Sequence, residues 1–513
     1  MTLFSRFHTL LHKKGSLLIG ALIVVYLLPI WLFPYFPTQD GVSHVYNSQI
    51  LTEYNNAEYQ FRDYYEINWY PFPNWLSHFS LAVLMFVFPP LVAEKIFLSL
   101  YVIFFPLAIH YFLEAVQRGR YPLVILSFTF IYNYLFLMGF YNFAVSVPLF
   151  FLALGYWWKH KDEINRTRII LLNLLIVITY FAHLISYAFI LFSIALLALF
   201  HFKRDFKRIL MTGCSLLPAA ILILVYLPTS DLLAGEPPEF GFGRIGELFN
   251  NLIGMHVLVA YAEPPNWISV AVSVLLVFLA AVTIWQNRKD PEKSSLGQRA
   301  FLYLAGVLFG LYFILPNAIG PGGWVNDRLA ILAVLGIFAW FCVLEHLPWR
   351  RVFTGIVVFL ALVNIFYVGI LFRNLNAEIR EFNAFVQRVG KNKVILPLHF
   401  DPRGSSKRVG IFVNAANYYC LDNGGINLGN YEIQFDYFPI RFNADFEAPL
   451  EEKEWVQVVH WEPERIGLCD YADNVDYLLL WDTPDNPIVA EAIEACYTLE
   501  ASEGKLKLFK GKR

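Results

Sequence analysis

Apolar runs of near-membrane length dominate the chain. They fall near 16–33, 75–91, 96–113, 121–137, 143–158, 168–182, 184–202, 209–228, 267–287, 300–316, 328–345 and 352–372. Each approaches the roughly 20 residues that a helix needs to cross a bilayer, so the pattern predicts about 11–12 transmembrane helices within residues 1–373. The first run follows several basic residues and imitates a signal peptide. Its length of about 18 residues and the lack of a small-residue cleavage pattern predict a retained first membrane helix instead.

The polar breaks between the runs alternate in charge. FSRFHTLLHKK, QRGR, KHKDEINRTR, HFKRDFKR, NRKDPEKSSLGQR and PWRR are basic, whereas PYFPTQD onward, MGFYN, AHLIS, the long stretch from PTSDLL to EPPNW, and PNAIGPGGWVND carry little positive charge. Basic loops stay on the cytoplasmic side, which directs the others and the tail outward. Parity conflicts with this scheme in one place. Between the first outward break and QRGR there are two apolar runs where one crossing is needed, and Pro89 with Pro90 marks the point where a run would break.

Residues 34–74 form an outward loop too long for a simple connector. Within it Val45, Tyr46, Ile50, Leu51 and Tyr54 have the spacing of an amphipathic helix lying along the membrane surface. After about residue 374 the pattern changes. KVILPLHF, VDYLLLWD and CYTLEASEGKLKLFKG read as strands, and NPIVAEAIEA reads as a helix. Residues 374–513 are expected to form a small extracytoplasmic α/β domain behind an all-α polytopic membrane domain.

Composition agrees with this picture. The chain is 57% hydrophobic and 16% charged, against about 25% charged for soluble chains. A net charge of −2 gives no electrostatic footprint for a nucleic acid. The five cysteines show no metal-like spacing. Cys420, Cys469 and Cys496 lie in the polar tail, where an oxidising compartment would pair two of them; otherwise they are small buried thiols.

Ionisable groups beside a membrane are costly to keep and mark candidate sites. Asp40 and His44 stand four residues apart just past the first run, a spacing that puts both on one helical face. The plainer reading makes Asp40 a helix N-cap whose carboxylate takes unpaired N–H groups. Asn68, Asn74, His78, Tyr141, Asn142 and His183 fall at the other outward breaks. Each alone reads as a structural hydrogen-bonding residue; together they resemble the rim of a cavity. Arg328 opens an apolar run beside Asp327. It is either a snorkelling cation paired with that acid or an anion site suited to phosphate. Arg244 is a second cationic candidate.

This layout resembles the GT-C-fold glycosyltransferases, membrane enzymes that take sugars from polyprenyl-phosphate carriers. The resemblance lies in one helix followed by a long outward loop opening with an acid, PTQDGVSH. A proline-bearing return to the membrane, YPFPNWLSHF, comes next, and then many helices and an outward soluble domain. It implies that Asp40 is the catalytic base of an inverting transfer to an acceptor hydroxyl, with His44 beside it. Asn68, Asn74, His78, Tyr141, Asn142 and His183 would contact substrate, Trp69 and Tyr141 would stack on sugar, and Arg328 and Arg244 would hold the carrier phosphate. The implied partners are a polyprenyl-phosphate-sugar donor and a glycan, lipid or protein acceptor, in a membrane such as the bacterial inner membrane. The first loop has D-G-V-S-H where metal-dependent members carry a D-x-D or D-x-E pair, so no metal is expected there. A transporter and a non-catalytic scaffold are the alternatives. The near absence of charge within the runs argues against the transporter.

Overall fold

The computed structural model describes residues 3–117, 119–227, 241–289, 295–320, 322–341, 350–435, 437–443, 465 and 467–512. The fold is mostly helical. Seven helices among the described residues are long and apolar enough to cross a membrane: Gly15–Leu32, Pro90–Val116, Leu184–Phe202, Phe206–Tyr226, Trp267–Lys289, Leu296–Ile314 and the helical stretch Arg350–Val389. Large apolar side chains such as Leu17, Val24, Leu210, Leu224, Val277 and Phe359 are exposed along them. That is the surface an integral membrane protein presents to lipid.

Seven is fewer than the apolar runs suggested: the runs near 143–158 and 168–182 form the helices Tyr141–His160 and Arg166–Ala182, outside that set, and two other runs are cut short by local causes. The run near 75–91 forms only the 11-residue helix Trp75–Met85, about 16 Å long against a hydrocarbon core of about 30 Å. Pro90 then starts the 27-residue helix Pro90–Val116, leaving one full-length helix where parity asks for one. The run near 121–137 breaks into Tyr121–Ser127, a 3₁₀ turn Phe128–Phe130 and Tyr134–Leu137. Ser127 and Thr129 hydroxyls donate to carbonyls three residues back, and Asn133 accepts from the Phe136 N–H. Side chains that bond locally to the backbone compete with a continuous helix. The helix from Val325 is described to Ile337; residues 342–349 of that run lie outside the described residues, as do 228–240 of the long outward break.

The chain divides into two compact units. Unit 1 comprises residues 1–29, 99–136 and 142–369. Inside it the Tyr26 hydroxyl donates to the Ala361 carbonyl at 2.9 Å, and the Tyr132 hydroxyl donates to the Tyr26 carbonyl at 2.7 Å. Arg120, a loop residue by charge pattern, is buried and donates to the carbonyls of Phe338 and Ala339 at 2.9 and 2.5 Å. These carbonyls follow the helix Val325–Ile337, and a guanidinium there satisfies acceptors that helix ends leave open.

Unit 2 comprises residues 30–98, 137–141 and 370–513. The chain re-enters it at Ile370. It holds α2 (Gly41–Glu53), which follows α1 (Leu3–Leu32), and the short helix Trp75–Met85. Strand β1 (Tyr65–Ile67) pairs antiparallel with β4 (Ile440–Phe442), with Tyr65 opposite Phe442. A second sheet has the order β3-β2-β5-β7-β6. Here β2 is Val394–His399, β3 Ile426–Asn427, β5 Tyr477–Trp481, β6 Tyr497–Glu503 and β7 Leu506–Gly511. The central strands β2 and β5 run parallel and are buried throughout, matching their unbroken apolar sequences. Helix Pro487–Cys496 is capped by Asn486, whose side chain accepts from the Ile488 N–H at 3.0 Å. Cys469 and Cys496 form a disulfide, while Cys420 is a buried free thiol.

The expected surface helix at 41–54 exists as α2, but it does not lie along an interface. Every residue from Gly41 to Ile50 is buried. Its polar face is occupied by polar groups of the tail, so the amphipathic pattern reflects two kinds of protein contact and not water on one side.

Candidate functional site

Unit 2 gathers Asp40, His44, His78 and Tyr141 around the start of α2. Close backbone approach sets this start. Gly139 has φ +90°, and a Cβ there would lie 2.4 Å from the Gly41 nitrogen and 2.6 Å from the Asp40 nitrogen. The Asp40 N–H donates to the Met138 carbonyl at 3.0 Å. The MGFYN loop is thus clamped to the PTQDG loop by a contact that only glycine accommodates.

Asp40 occupies the N-cap position of α2, but its side chain makes no cap hydrogen bond. The Gly41 N–H donates instead to the Thr38 hydroxyl at 3.2 Å. The Asp40 carboxylate is 5% exposed. Its Oδ1 accepts from Asn414 Nδ2 at 2.9 Å and from Gln39 Nε2 at 3.2 Å. Burial pushes the carboxyl up to about 7; the Glu432 charge adds to this, while hydrogen bonds from Gln39, Tyr431 and Asn414 oppose it. A carboxyl near 7 is about half ionised at neutrality and exchanges a proton readily there.

One turn along, His44 Nδ1 lies 2.8 Å from Glu432 Oε1, and His78 Nε2 lies 2.7 Å from Glu432 Oε2. The two ring nitrogens are 3.2 Å apart. Burial holds His44 below its ordinary value against the pull of Glu432. Burial works to raise Glu432, but the two imidazoles outweigh it and hold the carboxyl down at about 2. Asn47 Nδ2 donates to Glu432 Oε2 at 2.8 Å, and Asn430 Nδ2 donates to Asn47 Oδ1 at 2.7 Å. Asn417 Nδ2 donates to the Ser43 hydroxyl at 2.8 Å. These partners make the polar face of α2 a buried network rather than a wet one. His44, His78 and Glu432 have ligand atoms close enough together to hold a metal ion.

Tyr141 belongs to the same unit. Its hydroxyl donates to Glu94 Oε1 at 2.6 Å, and its ring centroid is 5.4 Å from that of His44. Asn74 is a turn residue with φ +73° at the start of Trp75–Met85, and its carbonyl accepts from His78 Nδ1 at 3.2 Å. The Asn68 N–H donates to the Pro439 carbonyl at 2.8 Å, extending the β1–β4 pairing. Trp69 is exposed and stacks on Trp75 with centroids 5.9 Å apart.

The other sequence candidates belong to unit 1. Asn142 is buried. His183 caps helix Leu184–Phe202, its Nδ1 accepting from the Ile185 N–H at 3.2 Å. Arg328 is buried; its Nη1 donates to the Gly323 carbonyl at 2.6 Å, and its guanidinium sits 5.5 Å from the Phe143 ring centroid. Arg244 is already engaged by Glu247 through two hydrogen bonds of 2.7 and 3.0 Å.

Compared with protein-family models and with curated proteins, the chain matches none.

Glu432, Asn414 and Glu94 were missed by the sequence reading. Glu94 carried a usable signal, being an acid at the start of a long apolar run. Glu432 and Asn414 carried none, because they sit in a polar tail rich in ordinary acids and amides. Chemically, the cluster offers a poised carboxylate, two imidazoles and a second carboxylate within one buried network.

Proposed function

We propose that the chain is a membrane glycosyltransferase in which Asp40 is the general base. The reading is supported above all by the state of the Asp40 carboxylate. It is buried, takes no part in capping the helix it precedes, and is oriented by two side-chain amides. A carboxylate kept at that cost without a capping role suits proton transfer.

In this reading the acceptor hydroxyl gives its proton to Asp40 as its oxygen bonds to the anomeric carbon. The bond from that carbon to the carrier phosphate breaks, its electron pair leaves with the phosphate, and the configuration inverts. His44 and Tyr141 contact the sugar. The Cys469–Cys496 disulfide supports a tail on the oxidising, extracytoplasmic side of the membrane.

The deciding experiment is transfer from a purified polyprenyl-phosphate-sugar series to a glycan, lipid or peptide acceptor by the wild type and Asp40→Asn. Loss of transfer in a folded variant supports the base role. Full transfer by Asp40→Asn refutes it and leaves the buried network as scaffold.

A further inference from the structure

The side chains of His44, His78 and Glu432 converge on one point. His78 Nδ1 lies 3.2 Å from the Asn74 carbonyl, which only accepts, so that nitrogen carries the proton. In the neutral ring His78 Nε2 therefore bears a lone pair, and it faces Glu432 Oε2 at 2.7 Å. His44 Nδ1 lies 2.8 Å from Glu432 Oε1 and 3.2 Å from His78 Nε2. Glu432 Oε1 makes no hydrogen bond of acceptable geometry although it is fully buried. Three ligand atoms that converge in groups 0–3% exposed can hold a cation between them.

From this geometry we infer that His44 Nδ1, His78 Nε2 and Glu432 bind a divalent transition-metal ion of the zinc class. Three observations favour a metal over a shared proton. His78 donates its second nitrogen to the Asn74 carbonyl, the arrangement that orients metal-bound imidazoles. Ligand atoms around tetrahedral zinc stand about 3.3 Å apart, so separations of 2.7–3.2 Å need open by only a few tenths of an ångström. Asn47 holds the carboxylate from outside the triad, donating to Oε2 at 2.8 Å, as outer partners of metal-bound carboxylates do. Two imidazoles and one carboxylate select zinc, cobalt, iron or manganese over magnesium and calcium. Three protein ligands leave a coordination position for an oxygen atom, as catalytic sites do. The inference stands independently of the transferase reading, because the metal is read by its own binding.

The test uses the full chain in detergent, stripped with a chelator and titrated with Co2+ alone. A visible d–d absorption band saturating at one ion per chain is expected, displaced by Zn2+ and untouched by Mg2+. His78→Ala and the near-isosteric Glu432→Gln should each abolish the band or weaken binding by at least about 10-fold. X-ray absorption on the wild type should report two imidazole nitrogens plus oxygen, a readout that needs no variant to fold. A folded wild type with no band in excess Co2+ overturns the site. So does a band that persists in both variants, or a ligand set without two imidazoles.

Discussion

Asn414 reaches back 374 residues to donate a hydrogen bond to the Asp40 carboxylate at 2.9 Å. The contact shows where the carboxylate turns in place of a cap. A capping carboxylate would turn toward the N–H groups of its own helix; this one turns toward the tail. If the carboxylate acts as a base, Asp40→Asn should keep the fold and lose transfer by roughly 10²–10⁴-fold. Asn414→Leu should retain measurable transfer but cost about 1–3 kcal/mol of stability, because a buried acceptor loses its donor. Transfer rates and thermal unfolding of both variants check this.

Gly139 tests the clamp between the two loops. Gly139→Ala places a methyl group against the Gly41 and Asp40 nitrogens at a φ of +90°. The expected cost is more than about 2 kcal/mol, from backbone strain and a clash with atoms that cannot rotate away. Gly20→Ala is the control, since nothing lies within 4 Å of its added carbon, and it should be neutral or slightly stabilising. Equal unfolding temperatures for the two variants would remove the clamp.

The disulfide bears on both compartment and stability. Cys469 and Cys496 should resist alkylation in unreduced, denatured protein, whereas Cys214 and Cys420 should react. Replacing the pair with serine should destabilise the tail by about 3.5 kcal/mol, the value for closing a loop of this length. A C-terminal reporter active only outside the cytoplasm should be active. Alkylation of Cys469 or Cys496 without reductant would contradict the pairing.

His399 gives the tail a pH dependence of definite sign. Burial lowers its ring to about 4, with its hydrogen bond to the Val413 carbonyl opposing. The unfolded chain, near 6.5, then binds the proton more readily than the folded one. The neutral ring's contribution is complete above 6.5 and is lost as pH falls toward 4, by up to roughly 3 kcal/mol. His399→Gln should flatten that part of the stability curve. An unchanged slope in urea titrations across this range would assign it to other groups.

Local signals in the sequence carried the elements. An unbroken run such as 267–287 has one stable outcome in lipid, because every backbone group must be satisfied within the helix. The strands at KVILPLHF and VDYLLLWD were legible because buried parallel strands are apolar throughout. The spacing of Asp40 and His44 placed them on one helical face before any coordinate was known. The number of crossings was less legible: Pro89 and Pro90 marked the break after 75–91, but apolar content at 121–137 does not reveal that local side-chain hydrogen bonds interrupt the helix. What lies opposite α2 was not legible at all. Its alternating polar and apolar residues fit a membrane surface as well as they fit a buried network, because helical periodicity records that two faces differ and not what each one touches. Only the tertiary structure brings Asn414 and Glu432 to Asp40, His44 and His78. Nothing local marks contacts closed across more than 350 residues of chain.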